Sequence, residues 1–164
     1  MAIKRRSLEA GHRRKFLVVV DETPECDRAV VFAALRAAHT GGLLVLLNVI
    51  DDADFRGFIG VEQMMRRQAR AEAEEILEKV AVRARTVAAT EPEKVIREGT
   101  RAAEVVRLIE ADEDIAVLVL AAGTGSDGPG PLVTSIAGRA SGSFPVPITI
   151  VPGHLGEADI TAIA

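Results

Sequence analysis

An α/β fold, built as a single doubly wound five-stranded parallel sheet with helices on both faces, is predicted by three features of this 164-residue chain. Apolar runs too short to cross a bilayer alternate with stretches whose apolar residues recur at helical spacing. Two of those runs, Leu43–Ile50 and Ile115–Ala122, are nearly or wholly unbroken, as strands covered on both faces are. Trp and Tyr are absent, so the core must be made of Ala, Val, Leu and Ile, the composition of helices packed on such a sheet. A chain this long buries roughly two thirds of its unfolded surface as one domain, and no second core is needed.

Each element follows from its own residues. Phe16–Val20 is a short β-branched run that stops at Asp21-Glu22-Thr23-Pro24, which predicts the first strand and its exit turn. Thr23 suits the cap of the next helix and Pro24 its first position, with Glu25 and Asp27 adding negative charge there. Ala29, Val30, Ala33, Ala34 and Ala37 continue that helix until Gly41-Gly42 ends it. Leu43–Ile50 is the second strand, closed by Asp51-Asp52-Ala53-Asp54. From Val61 to about Thr90 the apolar positions step by three or four between Arg, Glu and Gln, which predicts one long amphipathic helix. Met64 and Met65 within it read as filling where the helix meets the sheet. Glu93–Gly99 is a more polar strand suited to a sheet edge. Thr100 can cap the helix of Ala102, Val105, Val106 and Ile109, which ends near Asp112-Glu113-Asp114. After the strand Ile115–Ala122 comes a glycine-rich turn, then a short helix around Leu132 to Gly142. Pro145 and Pro147 frame the last strand, and proline places it at the other edge.

Domain organisation divides accordingly. Residues 1–15, with Lys4, Arg5, Arg6, Arg13, Arg14 and Lys15, form a basic N-terminal arm expected to be flexible. Residues 16–152 form the α/β domain, and 153–164 a C-terminal tail. The net charge of −4 and the lack of aromatic stacking platforms argue against nucleic acid as a partner. No run is long enough for a membrane span and no secretory pattern follows the basic residues, so a cytoplasmic protein is expected. The single cysteine agrees with that compartment.

In a doubly wound sheet, ligands bind beyond the carboxyl ends of the strands where the winding reverses. If the first and fourth strands are neighbours, Asp21 and the segment Gly123–Gly130 face one crevice. A glycine-rich turn leading into a helix lets backbone N–H groups approach an anion, because no Cβ stands in the way. The same glycines equally suit a tight crossover with no ligand.

At this point the chain resembles the universal stress protein family over about residues 16–151. The resemblance is carried by Val18-Val19-Val20-Asp21-Glu22-Thr23, by Leu46-Leu47-Asn48-Val49-Ile50-Asp51, by Arg97-Glu98-Gly99-Thr100 with the helix after it, and by Pro145-Val146-Pro147-Ile148-Thr149-Ile150-Val151, in that order and spacing. It implies a strand order of 3-2-1-4-5, a homodimer joined through the last strand, and a stress-response role through protein partners not identified by the sequence. Some members bind ATP, with an acidic residue after the first strand and backbone at the end of the second holding adenosine; these correspond to Asp21 and Val49. The family's phosphate motif, G-x2-G-x9-G-[S/T], is matched in part. Counting from Gly125 and Gly128 reaches Gly138 but meets Arg139 where Ser or Thr belongs. Counting back from Pro147 puts Thr134-Ser135 at that place, with Ala122 and Gly125 as the first pair, and keeps the helix length into the last strand. Asp127 brings a like charge near the phosphates, and Pro129 and Pro131 remove two N–H donors. The resemblance therefore implies a non-catalytic dimer with at most weak binding of ATP or another adenine nucleotide. Its alternative is an ATP-binding protein that hydrolyses slowly, using the glycine segment.

Other chemistry is weaker. Cys26 lies in the first turn of a helix, where thiol pKa falls, but Glu25 and Asp27 oppose a thiolate and a buried, inert cysteine is expected. His12, His39 and His154 show no ligand spacing, so no structural metal is expected. Asp51, Asp52 and Asp54 read as solvated carboxylates at a strand exit rather than a Mg²⁺ site. No Ser-His-Asp set or activated nucleophile is legible, so no catalytic residue is assigned.

Overall fold

Along Phe16–Val20 successive side chains bury on opposite sides of a sheet. Phe16, Val18 and Val20 join one apolar cluster, and Leu17 and Val19 join another, as the two-residue period of a strand requires. The computed structural model describes residues 4–57 and 59–164. Its five strands are β1 (Lys15–Val19), β2 (Leu43–Ile50), β3 (Glu93–Glu98), β4 (Ile115–Ala122) and β5 (Ile148–Pro152). All neighbours pair in parallel, in the order β3-β2-β1-β4-β5. This is the doubly wound order expected from the sequence, with the more polar Glu93–Glu98 and the proline-flanked Ile148–Pro152 at the two edges.

Helices α1 (Cys26–Thr40), α2 (Glu62–Ala88) and α4 (Glu157–Ile163) cover one face. Ala33, Ala34, Leu77, Ala81 and Ile160 meet Val18, Leu44 and Leu46 there. Helix α3 (Arg101–Ala111) and a π-helix (Val133–Arg139) cover the other, where Val105, Ile109 and Ile136 meet Leu17, Val45, Leu47 and Leu118. Small alanines on α1, buried beside Val30, Val31 and Leu35, let that helix lie close to the sheet. Gly41 ends α1 in the left-handed conformation, with φ of 68°.

Three local features differ from the expected elements. A short 3-10 helix (Asp52–Phe55) follows β2, held by the Asp51 carboxylate accepting from Ala53 N–H at 2.9 Å, and it buries Phe55 beside Ala73 of α2. The helix after the glycine segment is π-helical from Val133 to Arg139. The tail beyond Pro152 carries α4, anchored by Ile160 at 0% exposure. At the other end, the Arg5 guanidinium donates to the carbonyls of Ile109 and Asp112, at 2.7 and 3.0 Å, and His12 lies 2.7 Å from Asp114.

Candidate functional site: the crevice at the carboxyl ends of the strands

The crevice begins where β1 stops short of β2. The Val20 N–H donates to Leu47 O at 2.7 Å, and the Asn48 side chain donates to Val20 O at 3.0 Å, closing off the end of the first strand. Backbone groups of alternate strand residues point to the same side. Val49 therefore turns its N–H and C=O in the direction that Leu47 does, beyond the last residue of β1. The Ile50 carbonyl, facing the other way, accepts from Gly99 N–H at 2.9 Å.

Asp21 follows directly on this edge. Its carboxylate accepts the Thr23 N–H at 2.9 Å and the Thr23 hydroxyl at 2.5 Å. Thr23 was expected to cap α1, but the nearby charged acceptor takes its hydroxyl instead. The helix starts at Cys26 with Glu25 at the capping position and no side-chain cap hydrogen bond. Thr100 does occupy the capping position of α3, again without a side-chain hydrogen bond.

Three adjoining clefts run along the rim. The first, about 600 Å³, lies on the β2 side and includes Asp21, Asn48, Val49, Ile50 and, from the helices, Ala73, Ile76 and Arg101. The central one, about 110 Å³, lies between the ends of β1 and β4 and is lined by Val19, Asp21, Glu25, Cys26, Leu120 and Arg101, with Gly130 and Pro131 above them. The third, about 450 Å³, lies under the glycine segment, against Glu25, Arg28, Gly125, Asp127 and Gly128. Asp21 and Arg101 border both of the first two clefts, and Glu25 both of the last two.

The glycine segment is folded on itself. Gly123 N–H donates to Pro129 O at 3.0 Å and Gly128 N–H to Gly125 O at 3.2 Å. Gly128 and Gly130 have φ of 90° and 110°, a conformation that a side chain would strain. Burial pushes the Cys26 thiol up to about 11, the charges of Asp21, Asp27 and Glu25 acting the same way and a hydrogen bond from the Asp21 backbone opposing them, and its Sγ–H points to Val19 O at 3.7 Å.

Of the positions singled out in the sequence, Asp21 and Val49 meet at the β2-side cleft, and Gly125 and Gly128 line the loop-side cleft. Ala122 lines none of the three; it pairs with Pro152 and accepts the Gly153 N–H at 2.9 Å. Thr134 and Ser135 line none of them either, and their hydroxyls donate to Gly130 O and Leu132 O just before the helix, at 3.0 and 3.3 Å. Glu25 and Arg101 were not singled out for the site. Arg101 was legible by one rule: it opens the helix that leaves an adjacent strand at the same rim.

Comparison with known proteins agrees with this architecture. Solved structures of similar fold include universal stress protein UspA from Lactobacillus plantarum, with a TM-score of 0.70 at 18% identity over 84% of this chain and 97% of that one. A universal stress protein in complex with cAMP gives 0.61 at 18% identity, covering 85% and 97%. The universal stress protein from Archaeoglobus fulgidus in complex with dAMP gives 0.60 at 17% identity, covering 84% and 96%. No curated protein matches the chain in sequence. The model of the universal stress protein family matches residues 12–152, nearly all of the sheet and its covering helices, and the chain belongs to that family.

Proposed function

We propose that this protein is a non-catalytic, cytoplasmic stress-response protein that acts as a homodimer on protein partners, and that an adenine nucleotide in the crevice is its regulatory input. The observation that carries the nucleotide reading is the position of Asp21, which borders both the cleft containing Val49 and the central cleft. A carboxylate there suits ribose hydroxyls as an acceptor, and the outward-turned backbone of Val49 offers a donor and an acceptor to a base edge. The aliphatic side chains of Ile50, Ala73 and Ile76 offer the flat apolar contact that aromatic residues supply elsewhere. Two relatives of this fold were solved with cAMP and with dAMP, which supports the same class of ligand. The dimer reading rests on the family and on edge strand β5, where Ile150 is 41% exposed.

Amide NMR with adenosine and AMP tests the site. Shifts at Asp21, Val49 and Arg101 support it, and shifts confined to other surfaces, or none at millimolar ligand, overturn it. Binding is expected to be weak, with Kd above about 10 μM, worth less than ~7 kcal/mol. Light scattering at high protein concentration checks the dimer, and a monomer there removes it.

A further inference from the structure

We propose that the crevice takes adenine nucleotides carrying a single phosphate group, with Arg101 as the phosphate-binding residue, and that Glu25 with Asp127 excludes longer phosphate chains from the glycine segment. This rests on the nucleotide reading above and goes further by naming the ligand class.

The argument starts from charge along the rim. Arg101 is the first residue of α3 and borders both the base-sized cleft and the central cleft. Among the described residues its side chain forms no hydrogen bond or ion pair, so its guanidinium is available to an incoming anion. A nucleotide with its ribose at Asp21 directs its first phosphate into the central cleft, beside Arg101.

Any further phosphate must pass Glu25. That side chain stands between the central and loop-side clefts and lies against the glycine segment, its Oε1 3.0 Å from where a Cβ on Gly123 would be. Beyond it Asp127 lines the next cleft. The basic residue of that cleft, Arg28, already has an ion-pair partner in Asp27.

Part of the loop's donor set is already used or missing. The N–H groups of Gly123 and Gly128 are spent within the segment on Pro129 O and Gly125 O, and Pro129 and Pro131 have none. A phosphate chain laid along it would meet two carboxylates, and these four positions would offer it no N–H donor. Like charges in close contact near a surface disfavour binding by about tenfold or more per added phosphate.

Calorimetry with adenosine, AMP and ATP, each with and without Mg²⁺, separates the possibilities. AMP is expected to bind about tenfold more tightly than adenosine and at least tenfold more tightly than ATP. Arg101→Ala should abolish the tenfold preference for AMP over adenosine. Glu25→Gln should narrow the gap between AMP and ATP, with circular dichroism verifying that the fold is retained. ATP or Mg-ATP binding as well as AMP overturns the proposal while leaving the nucleotide site standing. So does an Arg101→Ala variant that keeps its preference for AMP. Failure of all three ligands overturns both readings.

Discussion

Gly153 sits directly against Ala122: its N–H donates to Ala122 O at 2.9 Å, and a Cβ added to it would lie 2.4 Å from that oxygen. The contact joins the exits of β4 and β5 at the root of the glycine segment. It holds the wall of the loop-side cleft, where Gly153 also appears. Gly153→Ala must push backbone apart, so it should destabilise by about 1–3 kcal/mol. Gly125→Ala is the control, because nothing lies within 4 Å of its Cβ position; it should change stability by no more than about 0.5 kcal/mol. Urea unfolding of the two variants checks the difference, and equal midpoints would show that the Gly153 contact has slack.

Cys26 is expected to be chemically silent in the folded protein. It is 7% exposed, and burial together with the surrounding carboxylates pushes its thiol up to about 11. At neutral pH the nucleophilic thiolate is therefore scarce. An aromatic disulfide reagent should label it only at the rate of opening or unfolding. Rapid labelling in native buffer would contradict this account of the central cleft.

The ion-pair cluster between helices should make stability depend on pH. Asp27 of α1 meets Arg83 of α2 at 2.9 Å, and Arg83 meets Glu157 of α4 at 2.7 Å. Burial alone would raise the Asp27 carboxyl, but the hydrogen bond and charge of Arg83, with Arg28 beside it, hold it below its ordinary value. A carboxyl depressed in the folded state contributes stability that is whole above its unfolded pKa, near about 3.9, and is lost as pH falls through its folded value. Asp27→Asn should therefore cost most at neutral pH and converge with the parent as pH falls through the folded value. The Asp27 side chain is 35% exposed, so solvent screening limits the effect at pH 7 to about 0.5–1 kcal/mol. Denaturant midpoints across pH 3–7 check it, and a constant gap would remove the linkage.

The sheet was legible because its signals are local. Leu43–Ile50 and Ile115–Ala122 announce buried strands by composition alone, and the prolines around the last strand announce an edge. Asp21 and Val49 were reached as a pair through the family resemblance, and both border one cleft because a doubly wound sheet brings strand exits to one rim. The role of Thr23 was not, because its choice between a helix end and the Asp21 carboxylate depends on three-dimensional distance rather than on residue type. The internal bonding of the glycine segment was hidden for a related reason: spacing shows where N–H groups stand along the chain but not that two of them close hydrogen bonds within the segment. Glu25 and Arg101 gain their significance only when clefts from separate elements adjoin. Helix α4 was hidden by its shortness, since its two isoleucines, of which Ile160 alone is buried, leave little periodicity to read among Glu, Ala, Asp and Thr.

That one residue should nevertheless matter greatly. Ile160 is fully buried in the cluster formed by α1, α2 and the sheet, whereas Ile163, one turn later on the same seven-residue helix, is 62% exposed. A helix this short has no stability of its own in water and persists only through packing. Among the described residues, the polar ties of this segment to the rest of the chain are Glu157 to Arg83 and the carbonyl of Ala164 near His39 Nδ1, at 2.7 and 3.0 Å, and both are exposed. Exposed ties of this kind contribute little. Ile160→Ala should therefore cost about 2–4 kcal/mol through lost transfer energy and the cavity left behind, and it should release residues 157–164 to proteases. Ile163→Ala, made in parallel, should stay within about 0.5 kcal/mol of the parent. Urea midpoints and limited proteolysis read both effects. Equal behaviour of the two variants would mean that α4 adds nothing to the core it covers.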